Sequence, residues 1–92
     1  MILPRRFDAT ISRAEFLRLL PAAVNGEAFR DEGGTLIGAS GWRIHLKDLP
    51  ARGFGGVVLE RQQVDIEFPG WEEGAAERFL ARFSLFFQRG GG

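Results

Sequence analysis

The longest periodic stretch of the chain runs from residue 72 to residue 89 and reads EEGAAERFLARFSLFFQR. Its apolar residues recur at spacings of three and four, which places them on one stripe of an α-helix. They are Ala76, Phe79, Leu80, Phe83, Phe86 and Phe87. Glu72 and Glu73 lie in the first turn and Arg89 in the last, as the helix dipole favours. Gly90 then supplies a left-handed cap. The stretch predicts one C-terminal amphipathic helix of about 27 Å that covers a small sheet.

The end of this stretch has an alternative interpretation. Phe83, Leu85 and Phe87 also lie at every second position, which is the spacing of one face of a strand. Residues 82–88 are therefore compatible with a terminal strand. The continuous helix is the favoured interpretation, and the strand stays open.

The N-terminal part of the chain predicts a strand followed by a short helix pair. Apolar and polar residues alternate over residues 7–12. Ser12 and Glu15 then have the spacing of a capping box, and apolar residues continue at helical spacing. Pro21 interrupts this pattern, because its ring collides with the preceding turn. We expect one short helix to end near Leu20 and a second turn to begin at Pro21.

The middle of the chain predicts a run of short antiparallel strands. Residues 27–31 form a weak strand, residues 32–34 a turn and residues 35–39 a second strand. The clearest strand signal is the alternation of Trp42, Ile44 and Leu46 with charged residues.

Residues 49–56 and 57–68 differ in character. The first segment contains Pro50 and three glycines and is predicted to be a loop. The second is predicted to be one long strand. Its apolar residues change from odd to even positions, so a bulge or a turn is expected near Arg61 and Gln62. A bent strand is favoured over a turn, because neither Gly nor Pro is present there.

These elements predict an α+β fold, with an antiparallel sheet, short N-terminal helices and a long C-terminal helix packed on one face. A chain of 92 residues has room for one domain. We assign residues 1–89 to it and residues 90–92 to a flexible glycine tail.

The order of elements resembles the helix-grip arrangement of the START and Bet v 1-like superfamily. The matching pieces are the strand at residues 7–12, the broken helix at residues 13–24 and the long helix at residues 72–89. The resemblance covers the whole chain and rests on element order, not on a sequence motif. It implies a small apolar ligand bound between the sheet and the C-terminal helix.

Composition narrows the function classes. Twelve basic and twelve acidic residues cancel, which argues against general binding of nucleic acid or anionic membranes and favours self-association. The absence of cysteine excludes disulfides and thiolate metal sites. No signal peptide and no apolar segment near the ~20 residues of a membrane span is present. We therefore expect a soluble cytoplasmic protein.

The polar residues predict no catalytic, metal or cofactor site. His45 is the only histidine, and we interpret it as a dispensable strand residue near Glu60 and Lys47. Glu60, Asp65 and Glu67 are expected to form cross-strand charge pairs with Arg43 and Lys47. The glycines lack the strand and helix context of a phosphate-binding loop.

The aromatic residues are the candidate contact residues. Seven of them are singled out as core, as an interface between chains or as the wall of an apolar ligand pocket. They are Trp42, Phe54, Trp71, Phe79, Phe83, Phe86 and Phe87. Phe54 lies beside Arg52 in the predicted loop, which is a reasonable place for partner contact.

Three functions follow as hypotheses. The leading one is a small non-enzymatic cytoplasmic binding or assembly module that associates with itself or with an unknown protein partner. The second is a helix-grip domain that binds a small apolar ligand. The third depends on Gly91 and Gly92, because the C-terminal diglycine resembles the tail of ubiquitin-like and sulfur-carrier proteins. That resemblance implies a carrier whose tail carboxylate is activated.

Overall fold

The computed structural model describes residues 5–87. The elements are β1 (Arg6–Ala9), α1 (Arg13–Ala23), β2 (Phe29–Glu32), β3 (Thr35–Gly38), β4 (Arg43–Phe54), β5 (Val57–Glu67) and α2 (Glu73–Phe87). The strands form one five-stranded sheet in the order β1-β5-β4-β3-β2, with every pair antiparallel. Both helices share one hydrophobic core with one face of the sheet. The predicted α+β class is confirmed.

The C-terminal helix is confirmed, and it is continuous to the last described residue. Residues 82–87 are helical, so the alternative of a terminal strand is wrong for that range. Ala76, Leu80, Phe83 and Phe87 are its buried residues, at the spacing of one helical stripe. Gln88 and the predicted cap and glycine tail lie outside the described residues.

Helix α1 corrects the prediction of a short helix pair, because it runs through Pro21 without a break. Its start is as predicted, since the Glu15 N–H donates to Ser12 Oγ at 3.1 Å. Pro21 lies two residues before the end and has no N–H to donate to the Leu17 carbonyl, so the helix lacks one backbone hydrogen bond there. Burial of Leu20 and Ala23 on either side of it holds the last turn in place.

The end of α1 is a Schellman-type cap. Asn25 has φ 57° and its N–H donates to the Ala22 carbonyl at 3.2 Å. The Gly26 N–H donates to the Pro21 carbonyl at 2.7 Å. The cap therefore uses the proline carbonyl, which remains free to accept a hydrogen bond although the residue has no N–H.

The predicted loop at residues 49–56 is wrong. Strand β4 continues to Phe54 and returns as β5 through a two-residue turn. Gly55 and Gly56 have φ 51° and 87°, and positive φ at both positions is what a type I′ hairpin turn requires. The glycines therefore close a hairpin, not a loop.

The irregularity predicted near Arg61 and Gln62 lies in the partner strand. Leu49 pairs with Arg61 and Arg52 pairs with Leu59, so Pro50 and Ala51 oppose the single residue between those partners. Strand β5 itself is continuous, as predicted. Its apolar phase changes because its first residues lie beyond the core, where Val57 is exposed.

Candidate binding site on the β4–β5 arm

Most of the aromatic candidates lie in the core between α2 and the sheet. Trp42 and Phe83 are fully buried, and Phe87 is nearly so. The Phe79 ring lies 5.7 Å from Trp42 and 5.9 Å from Phe83. The Phe83 ring is 4.6 Å from Phe87, which stacks on Phe16 at 4.4 Å. These contacts form one continuous aromatic layer and contribute to stability beyond simple burial.

The remaining two candidates of this region border the core. Trp71 and Phe86 are partly buried and pack against it. The Trp71 indole N–H donates to the Ser40 carbonyl at 3.0 Å. The Arg82 guanidinium lies 5.8 Å from the centre of the Phe86 ring. The exposed apolar residue near the end of α2 is therefore Leu85, with 60% of its surface accessible.

Two surface depressions among residues 5–87 lie away from the space between α2 and the sheet. One, of about 230 Å³, lies on β2 and β3 and is lined by Ala28, Phe29, Arg30, Ile37 and Ala39. The other lies at the bulge of β4 and is lined by Asp48, Leu49, Ala51, Glu60, Arg61 and Gln62. Neither depression therefore supports the hypothesis of a small apolar ligand bound between the sheet and α2.

His45 is part of a polar chain across the open face of the sheet. Its Nδ1 lies 3.1 Å from Thr35 Oγ1, and its Nε2 lies 2.8 Å from Glu67 Oε1. With Nε2 protonated, the ring donates to Glu67 and accepts from the Thr35 hydroxyl. The predicted neighbour Glu60 is not involved, because it lies at the bulge of β4.

This polar chain has the order of groups found in hydrolase triads, but its setting differs. The His45 and Glu67 side chains are 43% and 54% exposed. They lie on a flat sheet face, and neither depression includes them. Thr35 also lines neither of these two depressions. We interpret the hydrogen bonds among Thr35, His45 and Glu67 as a surface network.

Two further ion pairs lie on the open face, with partners that differ from those predicted. Asp65 accepts two hydrogen bonds from Arg6, at 2.6 and 3.0 Å, instead of pairing with Arg43 or Lys47. Arg61 donates to Asp8 at 3.2 Å. Such exposed pairs contribute little to stability. Within residues 5–87, no group of three or more metal-binding side chains is found.

Three of the four large exposed apolar residues of the described chain lie on a projecting hairpin. We call residues 50–60 the β4–β5 arm. Residues 50–58 are all exposed, and the hydrophobic core includes no residue of the arm. Phe54, Val57 and Val58 at the tip are 59%, 57% and 69% exposed.

The arm projects because its two strands are longer than their neighbours. Strand β3 pairs with β4 only at residues 43–45, and β1 pairs with β5 only at residues 62–65. Beyond those residues, β4 and β5 pair only with each other. The protein measures 45 × 31 × 19 Å along its principal axes, so its outline is elongated.

Of the candidate contact residues, only Phe54 lies on the arm. The sequence does not single out Val57 and Val58, because a loop at residues 49–56 gives no indication that the start of the next strand projects from the sheet. The available signal was Gly55–Gly56 between Phe54 and Val57, since two glycines flanked by β-formers mark a hairpin. Residues Gly91 and Gly92 lie outside the described residues, and the carrier hypothesis stays a prediction.

Comparison of the chain with models of known protein families, with curated proteins and with solved structures gives no match. The helix-grip resemblance therefore stays a prediction. No helix within residues 5–87 combines the length and the apolar character needed to span a membrane.

Proposed function

We propose that this chain is a non-enzymatic binding or assembly module whose contact surface is the β4–β5 arm. The observation that carries the proposal is the set of exposed apolar side chains at the arm's tip. Phe54 and Val57 are directly opposite each other in the hairpin, so they share one face. Val58 follows on the other face, because side chains alternate along a strand.

The energetics of the arm support this proposal. Fully burying a side chain such as Val or Phe stabilises a protein by about 1.5–3 kcal/mol. Phe54, Val57 and Val58 forgo most of that gain within the chain. A two-stranded hairpin without a packed face is marginally stable in water. A partner that covers the tip would both recover the burial and order the arm.

Charge is not the basis of recognition. The arm contains one basic residue, Arg52, and one acidic residue, Glu60, so their charges cancel. The whole chain is also neutral. The proposed partner is therefore a protein that offers an apolar or extended backbone surface, not a polyanion. A cytoplasmic location is part of the same proposal and is supported by the cysteine-free sequence.

Site-specific photo-crosslinking tests the proposal in the cells that make the protein. A benzophenone amino acid replaces Phe54 in one variant and Leu85 in the other. Leu85 is the matched control, because its 60% exposure equals that of Phe54 at 59% within one per cent. Both positions are on the surface, so neither substitution removes a core contact.

The proposal predicts a discrete adduct from position 54 and none from position 85. The mass of that adduct identifies its partner as a second copy of the chain or as another protein. The absence of any adduct at position 54, or equal adducts from both positions, would overturn the arm as the contact surface.

A further inference from the structure

We infer that the arm's partner is a second copy of this chain, which pairs through the free edge of β5 in an antiparallel register centred on Leu59. The inference rests on the proposed function and names the occupant of the same surface. It is carried by the backbone groups that β5 leaves unpaired beyond the end of β1.

The direction of those groups follows from the pairing of β5 with the chain segment at β1. The Ile66 N–H donates to the Arg5 carbonyl at 2.7 Å, so even-numbered residues of β5 point their backbone groups toward that edge. Strand β5 is regular from Val57 to Glu67. Val58 and Glu60 therefore direct an N–H and a C=O each to the edge that β1 does not cover. No backbone partner for these groups is present within residues 5–87.

Two other edges of the sheet are protected against pairing. On β4, Pro50 and the bulge interrupt the outer edge, and the Pro50 carbonyl accepts from Arg61 at 3.3 Å. On the far side of the sheet, β2 is four residues long and carries Arg30, Asp31 and Glu32. The β5 edge of the arm lacks these devices, since it begins Val57-Val58-Leu59.

Two-fold pairing about Leu59 matches all of the free groups of β5. Val58 and Glu60 are each one residue from Leu59, so Val58 of one copy faces Glu60 of the other and both exchange hydrogen bonds. The Leu59 side chains then face each other as an apolar pair. The interface is isologous, as a closed dimer requires.

The neighbouring registers are less favourable. A register centred on Glu60 places two carboxylates directly opposite each other, which is destabilising. A register centred on Val58 requires Gly56 to pair with Glu60, but Gly56 has φ 87° and belongs to the turn. The charge and the turn together select Leu59 as the centre.

Disulfide formation between single cysteines tests both the partner and the register, because the chain contains no native cysteine. In the proposed pairing, the two Leu59 positions have Cα atoms about 4.5 Å apart, within the range of a disulfide of up to ~7 Å. The two Val57 positions are offset by four residues, or about 13 Å. Leu59→Cys is compared with Val57→Cys under the same mild oxidant, with far-UV circular dichroism to check folding.

The inference predicts that Leu59→Cys forms a covalent dimer at least tenfold faster than Val57→Cys. If the disulfides formed only by random collision between chains, Val57→Cys would react faster, since Val57 is 57% exposed whereas Leu59 is half-buried. Equal rates, faster reaction at position 57, or no dimer from either variant would overturn the inference.

A second variant keeps the test independent of cysteine chemistry. Glu60→Pro removes an edge N–H that β4 does not use, so the hairpin retains its internal ladder. We expect sedimentation to show a dimer for the natural chain and at least a tenfold weaker one for Glu60→Pro. Unchanged association would contradict the pairing. If the adduct from position 54 has the mass of another protein, the arm remains the contact surface and only the second copy is wrong.

Discussion

Gly38 lies directly against the indole of Trp42. A Cβ atom built on Gly38 would be 2.0 Å from Trp42 Cε2 and 2.3 Å from Nε1. The Gly38 N–H also donates to the Trp42 carbonyl at 2.9 Å, so the two backbones are held together at the same point. The close approach lets the fully buried indole reach the core beneath β3.

Gly38→Ala should therefore destabilise the protein strongly. Overpacking of a core costs about 1–3 kcal/mol and sometimes more, and we expect a loss of about 3 kcal/mol or more in the free energy of unfolding. Gly53→Ala is the matched control in the next strand. A Cβ atom at Gly53 would have the Val57 carbonyl oxygen as its nearest neighbour, at 3.8 Å. Urea denaturation should show a change within about 1 kcal/mol for the control. Similar values for both variants would contradict the close contact.

The last turns of α2 supply a second test. Phe87→Ala removes a ring that stacks on Phe16 at 4.4 Å, and should cost about 3–5 kcal/mol. Leu85→Ala removes an exposed side chain two residues earlier and should change stability by less than about 0.5 kcal/mol. Thermal and urea unfolding of both variants measure the difference. If Leu85→Ala were the more damaging change, the helical assignment of residues 82–87 would be wrong.

Gln62 gives a prediction of increased stability. Its side chain is 4% exposed, and its Nε2 donates to Asp48 Oδ1 at 2.6 Å. Its Oε1 is buried without a hydrogen-bond partner among residues 5–87. Because an unpaired buried polar atom costs about 1–3 kcal/mol, Gln62→Leu should raise the free energy of unfolding by about 1 kcal/mol.

Gln62→Glu is the control for this position, since it keeps the shape and adds a carboxyl group beside Asp48. Burial and the neighbouring charge both raise the pKa of the new carboxyl. The stability of the Gln62→Glu variant should therefore fall as the pH rises through that pKa, and recover at acidic pH. A marked loss of stability in Gln62→Leu would show that Oε1 has a partner in solution.

His45→Ala should leave the protein folded and its association through the arm unchanged. The imidazole bonds Thr35 and Glu67 on the exposed face, where such contacts contribute about 0–1 kcal/mol. Circular dichroism checks that the variant is folded, urea denaturation measures its stability, and sedimentation measures its association. Loss of association in a folded His45→Ala variant would move the contact surface from the arm to the open face of the sheet.

The parts of the fold that sequence predicts are those with a local physical signal. The stripe of Phe83 and Phe87 at helical spacing indicates α2, because burial of one helix face follows from that spacing alone. The Ser12 hydroxyl marks the start of α1 for a similar reason, since its hydrogen bond reaches only three residues along the chain.

The parts that sequence missed depend on distant contacts. Pro21 was expected to divide α1, yet burial of the surrounding residues outweighs one lost hydrogen bond. Pro50 was expected to mark a loop, yet an edge strand with a bulge accepts a proline. The close contact of Gly38 with Trp42 has no local signal at all. The arm was missed for the same reason, because its exposure depends on where β1 and β3 end.

The most direct test of the arm as a pairing surface is hydrogen exchange at the Val58 and Glu60 amides, followed by NMR in dilute and in concentrated protein. Pairing of two β5 edges predicts that both amides exchange at least tenfold more slowly in the concentrated sample. The amides of Phe29 and Asp31, which point to the outer edge of β2, should not change. Fast exchange of Val58 and Glu60 at every concentration would contradict the account.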